Sequence, residues 1–176
     1  MSRDEMRTKI EGAINYLTEN PAEARYTDSP ATARLDDLDG LKVSVEGPDG
    51  ARITTDMPTS VGGENTTASS GWYLRAAEAA CVATLIAMRA AHLGVELTSV
   101  EVTVESESDD RGILGADPTV PAGPLSTHVV IRLAGKSADE QLLDEIARWA
   151  VEHCPVTDAV KRAIPMRVEV EASPDL

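Results

Sequence analysis

The sequence predicts one α+β domain, on three observations. Its 176 residues suit a single substantial core. Apolar residues recur at helical spacing in some stretches and alternate with polar ones in others. The order of these stretches is helix, β-hairpin, long helix, two strands, two helices and a final strand. Strands and helices are therefore partly segregated, which argues against a doubly wound parallel sheet.

At the N-terminus, Ser2 and Glu5 fit a capping box, and Met6, Ile10, Ala13, Ile14 and Leu17 follow at helical spacing. Asn20 and Pro21 stop this helix, and residues 21–30 read as an exposed connector. Leu41, Val43 and Val45 then alternate with polar residues ahead of Pro48-Asp49-Gly50 and Ile53, which predicts a hairpin turning at Asp-Gly. A small, polar loop over residues 58–70 leads to a helix capped by Ser69 or Ser70.

Residues 72–93 carry the strongest helical pattern, alanine-rich, with Leu74, Ala77, Cys81, Leu85 and Met88 on one stripe and Gly94 as the C-terminal cap. This helix is expected to be central and mostly buried, with Cys81 near its middle. Val100, Val102 and Val104 alternate with polar residues in a strand over 97–107. A Gly- and Pro-rich loop over 109–124, a short strand over 128–133 and an amphipathic helix over 138–153 come next. After Cys154-Pro155 a second helical piece runs to Ile164, and Met166, Val168 and Val170 predict a closing strand.

Composition excludes several function classes. Hydrophobic residues at 42% make disorder a poor default, and the absence of Phe with only 3% aromatics leaves few stacking platforms for bases. Sixteen basic against thirty acidic residues give a formal charge of −14, which repels phosphate backbones and anionic lipid. Neither nucleic acid nor membrane is an expected partner. No apolar run nears the ~20 residues of a bilayer span, and acids within residues 1–20 argue against a signal peptide. A cytoplasmic protein is expected.

Two cysteines make no disulfide framework. Their surroundings differ. Cys154 occupies a helix cap with Pro155 at the first helical position, so free backbone N–H groups can lie near its sulfur. Cys81 sits mid-helix, where local peptide groups are already paired, and any activation must come through space from an arginine on another segment. Without one, Cys81 is a small hydrophobe. His92, His128 and His153 show no metal-ligand spacing, and no metal or organic cofactor is expected. Gly62-Gly63 lacks the rest of a phosphate-binding loop, and Asp109-Asp110 reads as a turn.

Ala-Ala-Glu-Ala-Ala-Cys-Val-Ala-Thr (residues 76–84) in the long helix, the strand after it, and Glu-His-Cys-Pro-Val-Thr (residues 152–157) together resemble the OsmC/Ohr family of thiol-dependent hydroperoxide reductases. The resemblance spans about residues 31–171. Ser108 to Gly115 and Gly71 to Ala77 are similar to a subgroup of OsmC-like proteins. It implies an OsmC-like domain over residues 31–172 with residues 1–20 as a helical extension. It also implies an intertwined homodimer, with six-stranded, antiparallel-rich sheets packed around long central helices and active sites at the subunit interface. The implied activity is reduction of an organic hydroperoxide in oxidative-stress defence, with Cys81 peroxidatic, Cys154 resolving, and a dithiol or lipoyl protein as reductant. The Cys81 thiol is then expected to have a lowered pKa. In the family's peroxidases a Glu stands ten residues before the first Cys and an Arg precedes a Gly in the first hairpin; Gly71 and Leu38 occupy these positions here. Arg34, Arg52, Arg75 and Arg111 are the candidate substitutes for the arginine, with Arg111 preferred, and Glu64 for the carboxylate. The alternative is a non-peroxidase member with structural cysteines and a small hydrophobic ligand at the dimer interface.

Overall fold

In a computed structural model, described here over residues 2–173, five helices and five strands form an α+β fold. Helix α1 (Arg3–Glu19) starts with the expected capping box, since the Ser2 hydroxyl accepts from the Glu5 N–H and the Glu5 carboxylate accepts from the Ser2 N–H. Strands β1 (Thr32–Leu35), β2 (Val43–Glu46) and β3 (Arg52–Thr55) make an antiparallel three-stranded sheet. Strand β1 adds to the expected hairpin. Leu41 continues the alternation of Val43 and Val45 in β2, whereas β1 has only Ala33 and Leu35, so β1 is specified by its pairing with β2 and not by its own pattern. The hairpin turns where expected, with Asp49 and Gly50 both at positive φ.

Helix α2 (Ser70–Leu93) is capped by the Ser69 hydroxyl, which accepts from the Trp72 N–H, and ends at Gly94 in the left-handed conformation. It feeds directly into β4 (Glu96–Glu107), which pairs antiparallel with β5 (Ser126–Lys136). Between these strands, one turn of helix, α3 (Asp110–Ile113), forms inside the expected loop. Gly112 is required there, because a Cβ would stand 2.1 Å from the Pro121 carbonyl oxygen. The amphipathic α4 (Glu140–Glu152) and the short α5 (Pro155–Lys161) complete the order.

The core lies where α2 packs on the β4–β5 ribbon and on α4: Val82, Ile86 and Ala90 meet Ile146, Ala150, Val95 and Cys154, with Val100, Val102, Ile131 and Leu133 of the strands packed alongside. The other face of the ribbon is wet and pairs Glu101 with Arg132 and Glu96 with Lys136. Helix α1 lies against α2, while β1, β2 and β3 contact chiefly one another.

Three expectations are corrected. The buried stripe of α2 is Glu78, Val82, Ile86, Ala90 and Ala91, not the stripe through Leu74 and Met88, which are 39% and 37% exposed. An alanine-rich helix is apolar almost all round, so periodicity does not select the face that is covered. Second, α2 is long and apolar enough to cross a membrane by length and composition, contrary to the expectation that no such run exists; in the fold it packs on β4 and α4 as a core helix. Third, Met166, Val168 and Val170 form no strand within the chain, and Met166 is 84% exposed. Among the described residues of one chain this segment pairs with no strand edge, and the five strands lie in sheets of three and two.

The loop after β3 is organised by Asp56, whose side chain is almost fully buried. Its carboxylate accepts hydrogen bonds from the Thr66 N–H (2.9 Å), the Thr66 hydroxyl (2.8 Å), the Met57 N–H (2.7 Å) and the Glu64 N–H (3.4 Å). The Thr66 N–H bond is the largest cause holding Asp56 down at about 2; burial opposes it and the other three donors reinforce it. Gly63 closes the loop, since a Cβ there would stand 1.9 Å from the Met57 carbonyl oxygen. Because the carboxyl is depressed below its ordinary value near 4, its stabilisation is fully present above that value and is lost as pH falls toward about 2. Amide exchange of Glu64 and Thr66 is expected to be protected at pH 6 and to lose protection toward pH 2; Asp56→Asn should lose it at both.

Candidate functional site

The site forms where α5 docks against the middle of α2. Cys154 caps α5 and Pro155 takes the first helical position, so the chain turns with its free N–H groups around the sulfur. The Thr157 N–H donates to Cys154 Sγ at 3.4 Å. Cys154 is fully buried, while Cys81 is half-buried on α2 at the edge of the core. Both thiols are free, and Cys81 packs against the core cluster that contains Cys154, near enough for each thiol to shift the other's titration.

Their electrostatics differ in sign. Burial pushes the Cys81 thiol up, the neighbouring Cys154 adds to the rise, and the Val156 N–H opposes it. Burial also pushes Cys154 up, but hydrogen bonding at Thr157, with Cys81 and from the Val156 N–H outweighs it, and the net shift is downward. Within one chain the more acidic thiol is therefore Cys154. This corrects the expectation of a lowered pKa at Cys81, for the physical reason that no guanidinium compensates its burial.

The candidate arginines are engaged elsewhere. Arg34 and Arg52 both pair with Glu46, and Arg75 donates to the Ser106 hydroxyl. Arg111, exposed on α3, is held by Asp109 at 2.5 Å and Asp117 at 3.6 Å. The chain thus brings Cys81 and Cys154 together and leaves Arg111 apart from them. Glu64 is exposed, and its backbone N–H serves Asp56.

One carboxylate does reach the site. Glu78, one turn before Cys81 on α2, is only 2% exposed, and its Oε1 accepts from the Thr157 hydroxyl at 3.0 Å. In the sequence Glu78 reads as a one-turn neighbour of Arg75 and Thr157 as the end of the Cys-Pro-Val-Thr motif, and neither stands out as a site residue. Their signal was weak but present: a Glu inside the apolar pattern, one turn before a Cys, needs a partner if that face is covered. A groove of about 520 Å³ is lined by Leu74, Leu125, Val156 and Val160 together with Thr127 and Lys161; its Val156 lies two residues after Cys154.

Comparisons with known proteins agree on one family. The model of the family described as OsmC-like protein matches residues 63–169. Among solved structures, an OsmC-like protein of unknown function from Vibrio cholerae superposes with a TM-score of 0.64 at 12% identity, covering 77% of this chain and 95% of its own. An organic hydroperoxide resistance protein from Legionella pneumophila gives 0.56 at 23% identity, covering 77% and 90%. That of Bacillus subtilis gives 0.51 at 20%, covering 77% and 91%. A search of curated proteins returns no match. With the family model spanning well over half of the chain, and the fold shared with these structures, the chain belongs to the OsmC-like family.

Proposed function

We propose that the protein is a thiol-dependent reductase of organic hydroperoxides that serves in oxidative-stress defence, with Cys81 as the peroxidatic and Cys154 as the resolving cysteine. The observation that carries this reading is a half-buried thiol packed against the core cluster that holds a sealed one. Peroxide reaches only the first, and its oxidised sulfur lies beside the second. The solved relatives named as organic hydroperoxide resistance proteins support the same reading.

The chemistry balances as follows. The Cys81 thiolate attacks the terminal oxygen of the hydroperoxide; an S–O bond forms, the O–O bond breaks, and an alcohol leaves with one proton. Cys154 then attacks the Cys81 sulfur, and hydroxide departs as water with the second proton. Two electrons pass from the thiols to the peroxide, and an external dithiol or a lipoyl protein returns them. The apolar groove beside Val156 suits the organic part of the substrate.

The functional unit in this proposal is an intertwined homodimer, with α1 as an addition to a domain over residues 31–172. Leu74, Ala77, Cys81, Leu85 and Met88 lie on the less covered flank of α2, and Leu35, Leu41 and Ile53 of the small sheet are exposed. Met166, Val168 and Val170 keep a strand pattern with no edge to join. A second copy covers all three apolar surfaces at once. The activating cation then comes across the interface, and Arg111 is the proposed donor.

Stopped-flow mixing of the reduced protein with cumene hydroperoxide tests the activity. Consumption of one equivalent per chain, at least about a hundredfold faster than by a free thiol at the same pH, is expected. A rate no greater than the free thiol's would leave the second reading, a ligand-binding member with structural cysteines, which the upward shift at Cys81 favours.

A further inference from the structure

Glu78 is a charged side chain buried in the core of a protein whose proposed cycle, as written above, gives it no task. Its environment is specific. The Thr157 hydroxyl has one proton and donates it to Glu78 Oε1 at 3.0 Å, while the backbone N–H of the same residue donates to Cys154 Sγ at 3.4 Å. Thr157, itself 3% exposed, thus stands between a sealed thiol and a buried carboxylate. A thiol with no exposed surface cannot give its proton to bulk water, and it must lose that proton before its sulfur can attack.

We propose that Glu78 is the internal base of the cysteine pair, taking the Cys154 proton through the Thr157 hydroxyl as Cys154 closes the disulfide with Cys81. In this relay the Cys154 S–H turns to Oγ1 of Thr157, the residue whose N–H already meets the sulfur, while that hydroxyl donates to Glu78. A concerted shift along both bonds leaves a thiolate accepting from Thr157 and a protonated Glu78 donating to Thr157, so that both end states are fully hydrogen-bonded. The thiolate then forms the S–S bond, and the group leaving Cys81 takes a proton from solvent. When the external dithiol next reduces the pair, the departing Cys154 thiolate takes that proton back from Glu78 through the Thr157 hydroxyl, which restores the starting state. Glu78 and Thr157 are positioning and proton-relay residues; neither touches the peroxide.

The inference rests on the proposal that Cys81 and Cys154 form a redox pair, but its test does not need peroxide. The full-length reduced protein is mixed with excess 4,4′-dithiodipyridine, and thiopyridone release is followed by absorbance. A first phase caps the half-buried Cys81. A second is the attack of Cys154 on that mixed disulfide, releasing the second thiopyridone. Glu78→Gln, which keeps the shape but cannot accept a proton, should lower the ratio of second-phase to first-phase rate at least tenfold. Thr157→Val should lower it as much, and Thr157→Ser should restore it. A smaller change in Glu78→Gln, equal loss in the Val and Ser variants, or no second phase in the wild type would overturn the proposal. Should Glu78→Gln fail to fold, the Thr157 pair decides by the same ratios. If peroxide is not consumed yet the ratio falls as stated, the relay stands and the peroxidase reading fails; if peroxide is consumed and the ratio is unmoved, the relay alone fails.

Discussion

Cys81→Ser is expected to consume cumene hydroperoxide at least about a thousandfold more slowly than the wild-type protein, because loss of a covalent nucleophile removes the step itself and not merely its assistance. A serine hydroxyl ionises far above a thiol and does not cleave the O–O bond. Cys154 cannot stand in, since it is fully buried and no peroxide reaches its sulfur. The thiopyridone and peroxide traces of the variant should both lose their fast phase. A loss below about tenfold would mean that the reaction never ran through Cys81. The upward shift of Cys81 within one chain sharpens the expectation. In the dimer proposed here its rate should fall with Arg111→Ala, and a rate unaffected by that change would remove Arg111 as the cation.

The largest stability effect should come from Ile86→Ala. Ile86 is fully buried on α2 against Ile146 and Ala150, at the junction of α2, α4 and the β4–β5 ribbon. Removing its methyl and methylene groups there forfeits transfer free energy and leaves a cavity, at a cost of about 2–5 kcal/mol. Met88→Ala, on the opposite side of the same helix and 37% exposed, should cost under about 1.5 kcal/mol. Urea titration of both variants at one fixed protomer concentration separates them, since stability of an oligomer depends on concentration. Equal losses would mean that the face through Glu78 and Ile86 is not the buried one.

Much of this fold was legible because local chemistry specifies it. Ser2 with Glu5, Ser69, the Asp49-Gly50 turn, Gly94 and Cys154-Pro155 each fix a boundary through a hydrogen bond or a backbone angle that few residues supply. What stayed hidden depends on long-range contacts. The sheet role of β1 comes from its partner β2, and the fate of Met166 to Val170 depends on whether an edge is available. The covered face of α2 could not be chosen while alanine surrounded the helix. The site followed the same division. Cys154 was readable as a capped thiol from Pro155 alone, whereas its nearness to Cys81, and the Thr157 bridge to Glu78, join elements far apart in the chain. The aspartate partners of Arg111 lie in its own loop, and they hold a guanidinium that the sequence had offered to the cysteine.

The central claim is that two sulfurs on α2 and α5 exchange electrons with a peroxide as one couple. Mass spectrometry of a non-reducing digest, after one equivalent of cumene hydroperoxide per chain, tests it most directly. A single cross-linked peptide pair containing Cys81 and Cys154, lost on adding a dithiol, is expected. Recovery of both cysteines as free thiols, or of Cys81 as sulfinic acid with Cys154 untouched, would contradict it.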